Sequence, residues 1–154
     1  YAPLLAEHRA QIKPDVVWNV EKGLALDGAA VGKAMRERAR LYERVAGFFA
    51  EYDVLATPAV IVAPFDIERR YVEEVAGRRF DNYVDWLAMS YAVTLVGCPA
   101  LSLPCGFTRA GLPVGLQLVG RPRGEAALLA AAALLEEQLG LAALLPIKPR
   151  PGRD

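Results

Sequence analysis

Few residues in this chain have the chemistry of a nucleophile: Ser90, Ser102, Cys98 and Cys105, with His8 the only histidine. Nucleophilic catalysis needs a group that takes the nucleophile's proton and donors that hold the developing oxyanion. Neither serine has a lysine beside it. Ser90 sits in the apolar run NYVDWLAMSYAVTLV (82–96), and Ser102 sits in PALSLP (99–104), where a hydroxyl can hydrogen-bond within a core. His8, flanked by Glu7 and Arg9, reads as a solvated helix residue rather than a catalytic base. The two cysteines have a strand between them and point to different ends of it, so they neither pair nor frame a metal. Buried thiols in a reducing, cytoplasmic compartment are the expectation.

The glycine corner GRPRG (120–124) ahead of a helix is the remaining chemical candidate, because a helix N-terminus can hold a phosphate. Its spacing matches neither GxGxxG nor GxxxxGK[ST], and Glu125 places negative charge where the phosphate would sit. Close packing of a helix on a strand is the simpler reading. No catalytic residue, metal ligand or cofactor is assigned within the chain.

The rest of the chain is organised around one stretch, Gly97 to Leu135, which holds Cys98, Ser102, Cys105 and the glycine corner. Ala100 to Phe107 is an apolar run interrupted by Pro104, which cannot donate to a central ladder, so a strand of four or five residues, or a bulged one, is expected. Thr108 to Pro113 supplies a turn. Val114 to Val119 is the second strand of a hairpin, with Val114, Leu116 and Leu118 on one face and Gly115, Gln117 and Val119 on the other. Gln117 requires a hydrogen-bond partner if it is buried. From Glu125 to Leu135 a helix of Ala and Leu follows, so apolar all round that it should be covered on most sides.

The runs PALSLPCGF, GLPVGLQLVG and EAALLAAA, with YDVLATPA upstream at 52–59, closely resemble the C-terminal part of the amidase signature family, which includes bacterial amidases and the A subunit of aminoacyl-tRNA amidotransferases. The resemblance covers most of the chain. It implies a serine nucleophile, a second serine in a cis peptide linkage and a lysine, with oxyanion donors in a Gly/Ser-rich loop. No such loop occurs in these residues, so the resemblance places the catalytic set upstream of Tyr1. It also implies that the helix before Gly97 faces the acyl side of the substrate, making Trp86, Ser90, Tyr91 and Thr94 pocket candidates. On sequence alone Trp86 and Tyr91 read equally well as core aromatics. Many relatives carry Asn where this chain has Thr94, which weakens the carry-over at that position and the link to the tRNA-dependent branch.

The rest of the chain reads as follows. A short helix runs to about Lys13, ahead of Pro14, and 16–32, with Gly23, Gly28 and Gly32, is a connector. A long helix from about Ala29 to Tyr52 carries an apolar stripe that includes Met35, Leu41, Val45 and Phe49, and its basic residues form a solvated face. Residues 53–57 form a short buried strand ended by Pro58; 64–79 is a polar surface excursion with some helical character, and by resemblance it borders the substrate entrance. Asn82 to Val96 is a buried helix capped by Asp81 or Asn82 and ended by Gly97. Strand 53–57, a crossover with a helix, and strand 100–103 suggest a parallel pair. The expected fold class is α/β, a mixed β-sheet covered by α-helices.

Length, balance and hydropathy limit the function. The 154 residues have 18 basic and 18 acidic side chains, which asks for neither nucleic acid nor a membrane surface. The uncharged apolar run 126–135 is far short of the roughly 20 residues of a spanning helix. The chain starts at Tyr1 without a signal pattern and reads as a piece of a longer polypeptide: 1–145 as the C-terminal part of an amidase signature domain, 146–154 as a Pro-rich tail. Such a piece would leave a sheet edge and apolar helix faces open, to be covered by its own N-terminal part or by a homodimer partner. The expected function, in the full-length protein, is hydrolysis of a small-molecule amide. The A subunit of an amidotransferase, or a non-catalytic scaffold of the same fold, is the alternative.

Overall fold

A computed structural model describes residues 1–141; the Pro-rich stretch 146–154 lies outside them. Three helices lead into a small sheet. Helix α1 (Ala2–His8), a 3-10 turn (Arg9–Gln11) and α2 (Pro14–Leu24) precede the long α3 (Gly28–Glu51). Much of the expected connector is therefore helix: Pro14 supplies the fixed φ of a first helical position and Asp15 a favourable charge in the first turn. Asp27 starts α3, its carboxylate accepting from the Ala30 N–H at 2.7 Å.

Strands β1 (Val54–Pro58), β4 (Ala100–Phe107) and β5 (Pro113–Gly120) form a three-stranded sheet in the order β1-β5-β4. Both outer strands run antiparallel to β5. The expected parallel pair is thus corrected: β1 and β4 point the same way, but β5 lies between them. The second edge of the hairpin strand β5 is the one that β1 uses, with Leu55 opposite Val119 and Thr57 opposite Gln117.

Strand β4 is also longer than four or five residues, and its proline explains how. Gly120 N–H donates to Pro99 O at 3.0 Å and Ala59 N–H to Gly115 O at 3.0 Å. Bonded and non-bonded pairs alternate along an antiparallel ladder. Leu101 and Leu103 therefore bond to β5, whereas Ala100, Ser102 and Pro104 direct their backbone groups away from it. Pro104 lacks only a donor that β5 does not use. The register then slips between Pro104 and Gly106, a bulge that absorbs Cys105 before pairing resumes.

The two faces of the sheet bury different clusters. On one, Leu103 and Leu118 meet Leu128 and Ala132 of α6 (Glu125–Leu139), with Leu101 and Leu116 packed around them. On the other, Val119 meets Val96 and Cys98, against Leu41, Val45 and Phe49 of α3. Helix α6 is covered on one side only: Leu129 and Leu134 are 61% and 67% exposed. No side chain of α3 is buried. Burial pushes the Cys98 thiol up from its ordinary 9.0.

Two further departures concern the segment that leads to the site. The surface excursion contains no helix; it folds as a two-stranded hairpin of β2 (Glu74–Val75) and β3 (Arg78–Arg79). The helix expected over 82–96 is two pieces, α4 (Tyr83–Trp86) and α5 (Ala88–Val96), separated at Leu87. Gly97 ends α5 at φ 67°, the left-handed cap that glycine adopts without a steric penalty.

Candidate functional site

The site grows from Asn82. Its Oδ1 accepts from the N–H groups of Val84 and Asp85, both at 3.0 Å, and its Nδ2 donates to Asp85 Oδ2 at 2.8 Å. Of the two expected caps, Asn82 is the one used. With the start of α4 held in this way, Trp86 at its last turn has a defined direction. Phe65 stands edge-on to it, centroids 5.8 Å apart at 81°, and Tyr83 lies at 5.8 Å and 50°. Aromatic pairs of this kind contribute about 0.5–1.5 kcal/mol each beyond their area burial.

Trp86 forms a wall of an open cleft of about 520 Å³. The opposite walls are Pro58 at the end of β1, Ile61 and Phe65 from the following loop, and Thr108 and Val114 at the hairpin end of β4 and β5. No charged side chain lines it. A second cavity of about 430 Å³, with Phe80, Asp85 and Met89, shares Ile61 and Trp86. The indole thus lines both the uncharged cleft and a second cavity that also carries Arg78 and Asp85, and its Nε1 is buried without a hydrogen-bond partner among the described residues. The uncharged cleft, by its size and polarity, suits an apolar group.

Ser90, Tyr91 and Thr94 are on α5, exposed, and are not among the residues lining this cleft. Their spacing along the helix puts them on one side, away from Val93 and Val96, which face α3 and the sheet. Trp86 alone of the four meets the cleft. Pattern and resemblance assign no part of the wall to the β4–β5 hairpin end or to Ile61; the apolar run AVIVAPF after Pro58 is the available signal.

The remaining polar groups lie on the sheet. Gln117 has the partner its position requires, Nε2 donating to Thr57 Oγ1 at 3.1 Å. Ser102 stands opposite Gln117 in the ladder but is exposed, not in a core. Thr57, Gln117 and Ser102 form one polar row across all three strands. Gly115 beside it keeps the strands close: a Cβ there would lie 2.9 Å from Ser102 Oγ and 3.0 Å from Ala59 Cβ. Among the described residues no cluster of His, Cys, Asp and Glu could hold a metal, and no helix is long and apolar enough to cross a membrane.

A family model described as Amidase matches residues 7–129, most of the chain and all the elements that build the cleft. The chain belongs to the amidase signature family. Relatives within it have diverse names. The A subunit of a glutamyl-tRNA(Gln) amidotransferase from Moorella thermoacetica is 42% identical over 105 residues, 68% of this chain and 20% of the relative. An acylamidase from Rhodococcus erythropolis is 30% identical over 129 residues, 83% of this chain and 27% of the relative. A crystal structure of an amidase superposes with a TM-score of 0.77 at 29% identity, covering 88% of this chain and 31% of that one. The chain therefore spans less than a third of the length of these amidase signature proteins.

Proposed function

We propose that this chain is the C-terminal part of an amidase signature hydrolase that cleaves a carboxamide to a carboxylate and ammonia, through a serine, a cis-serine and a lysine located upstream of Tyr1. The supporting observation is the family match over 7–129 together with the lack of an activated nucleophile at either serine of the chain. What these residues supply is one wall of the substrate pocket. The uncharged cleft at Trp86 fits an apolar acyl or amine substituent, and burying such a group contributes about 25 cal/mol per Å² of apolar surface. Trp86 is the residue assigned to that contact; Ser90, Tyr91 and Thr94 offer a second surface on α5 for groups contributed by the upstream part.

The amidotransferase reading is favoured by the 42% identity to the glutamyl-tRNA(Gln) enzyme of Moorella thermoacetica. In that case the ammonia released passes to a charged tRNA held by a partner subunit, and glutamine replaces an apolar amide as substrate. The uncharged lining of this wall fits the apolar substituent of the hydrolase reading, whereas partners for a glutamine α-carboxylate and ammonium would be supplied by the upstream part.

Fluorophosphonate labelling of the protein expressed from its native start tests the proposal. Mass spectrometry is expected to find the modified serine upstream of Tyr1, with Ser90 and Ser102 unmodified. Modification of Ser90 or Ser102, or no modification at all, overturns it; the second result favours a scaffold that has kept the fold without the chemistry. Ammonia release that depends on tRNA and on a partner protein identifies the amidotransferase.

A further inference from the structure

Trp86 owes its position in the cleft wall to more than Phe65. The indole also borders the cavity of about 430 Å³ next to the cleft, so it needs lateral support to stay where it is. Tyr83 and Trp86 stand three positions apart on α4 and share a helix face, with ring centroids 5.8 Å apart. Tyr71 meets Tyr83 in turn, edge-on at 6.2 Å and 85°. Four rings therefore run in series: Tyr71, Tyr83, Trp86 and Phe65. The last two line the cleft, and the tyrosines stand outside it.

Both ends of the series come from one segment. Phe65 and Tyr71 lie in the stretch between β1 and β2, which thus grips α4 at two points, Trp86 and Tyr83. Val72, next to Tyr71, is buried, and Arg70 on its other side forms an ion pair with Asp15 in the first turn of α2. The side chains of that pair are 55% and 37% exposed, and exposed pairs contribute little. The ring contacts are the stronger restraint. Tyr83 also borders a cavity of about 640 Å³ together with Asp15 and Arg70, space into which its ring can move once Tyr71 is removed.

We infer that Tyr71 and Tyr83 are positioning residues for the substrate wall: in series they fix the tilt of Trp86, and so set how well the cleft accepts an apolar substituent. This rests on the reading of the cleft as the pocket for a substituent of the amide. It goes further in assigning selectivity to two side chains that do not touch the substrate.

Proton–nitrogen correlation spectra of the protein expressed from its native start test the series without turnover. The Trp86 indole N–H resonance, identified by its loss in Trp86→Phe, is expected to shift in Tyr71→Leu and in Tyr83→Leu and to stay in place in Tyr71→Phe, which keeps the ring. An unmoved resonance in Tyr71→Leu overturns the proposal. Tyr83 is at the surface, so Tyr83→Leu supplies the reading where Tyr71→Leu fails to fold, and an unmoved resonance there overturns it equally. Turnover supplies the second readout. The ratio of kcat/KM for an amide with an apolar substituent to that for one without is expected to fall about three- to tenfold in either leucine variant, and to stay within about twofold of the parent in Tyr71→Phe. Equal losses on both amides would make the tyrosines packing residues and overturn the proposal. A protein that hydrolyses no amide fails the proposed function, while the indole resonance still decides whether the tyrosines position Trp86.

Discussion

Gln117 and Thr57, sixty positions apart in the chain, are joined by a 3.1 Å hydrogen bond that ties the middle strand of the sheet to β1. Both side chains are half-buried, so removing one partner strands the other. Gln117→Leu and Thr57→Val are each expected to destabilise the full-length protein by about 1 kcal/mol, with the double variant less costly than their sum. Chemical denaturation of the four proteins in the cycle measures the coupling; strict additivity would show that the bond contributes nothing.

Asn82 sets the direction of Trp86 through its cap. Asn82→Ala is expected to cost about 1 kcal/mol and to loosen the indole, whereas Asn82→Ser keeps a capping acceptor without setting a second carboxylate against Asp85. Tryptophan fluorescence checks this: a red-shifted emission in Asn82→Ala, absent in Asn82→Ser, is the predicted pattern.

Trp86 lines both the uncharged cleft and the neighbouring cavity, so its truncation opens one to the other. If the full-length protein is the proposed amidase, Trp86→Ala is expected to lower its kcat/KM for amides with an apolar substituent by roughly ten- to a hundredfold, and for an amide without one by much less. Equal losses on both substrates would remove Trp86 from substrate contact and leave it a packing residue.

Gly115 is held by contact rather than by an unusual φ. The added methyl of Gly115→Ala meets Ser102 Oγ at 2.9 Å and Ala59 Cβ at 3.0 Å, and about 1–3 kcal/mol of destabilisation follows. Ser102→Ala removes one of the two clashes and is expected to restore part of the loss, read as a partial recovery of the denaturation midpoint.

The Cys98 thiol gives a pH dependence of definite sign. Burial raises its folded pKa above the ordinary 9.0, so the unfolded chain loses this proton first. Stability from this group is complete below pH 9 and falls as the pH rises from there through the folded pKa. Replacing Cys98 by Ala should flatten that alkaline part of the stability profile.

Local pattern and backbone chemistry were enough to specify the hairpin with its faces, the long amphipathic helix, a cap at Asp81 or Asn82, the Gly97 stop and, through the motifs at 52–59 and 99–132, the family. Each depends on neighbours within a few residues, so the signal is present in the chain. The rest came from how distant segments meet. That β5 lies between β1 and β4 depends on which strand edge β1 pairs with, a choice that periodicity does not encode. Pro104 reads as a strand breaker until the ladder shows its nitrogen facing away from β5. The cleft joins Pro58, Phe65, Trp86 and Val114, residues from four separate segments whose apolar character was legible but whose meeting was not. Ser102, set in an apolar run, is exposed because α3 and α5 cover its sheet face at Val119 but do not reach over Ser102, and coverage of a face is a property of the whole assembly rather than of the strand.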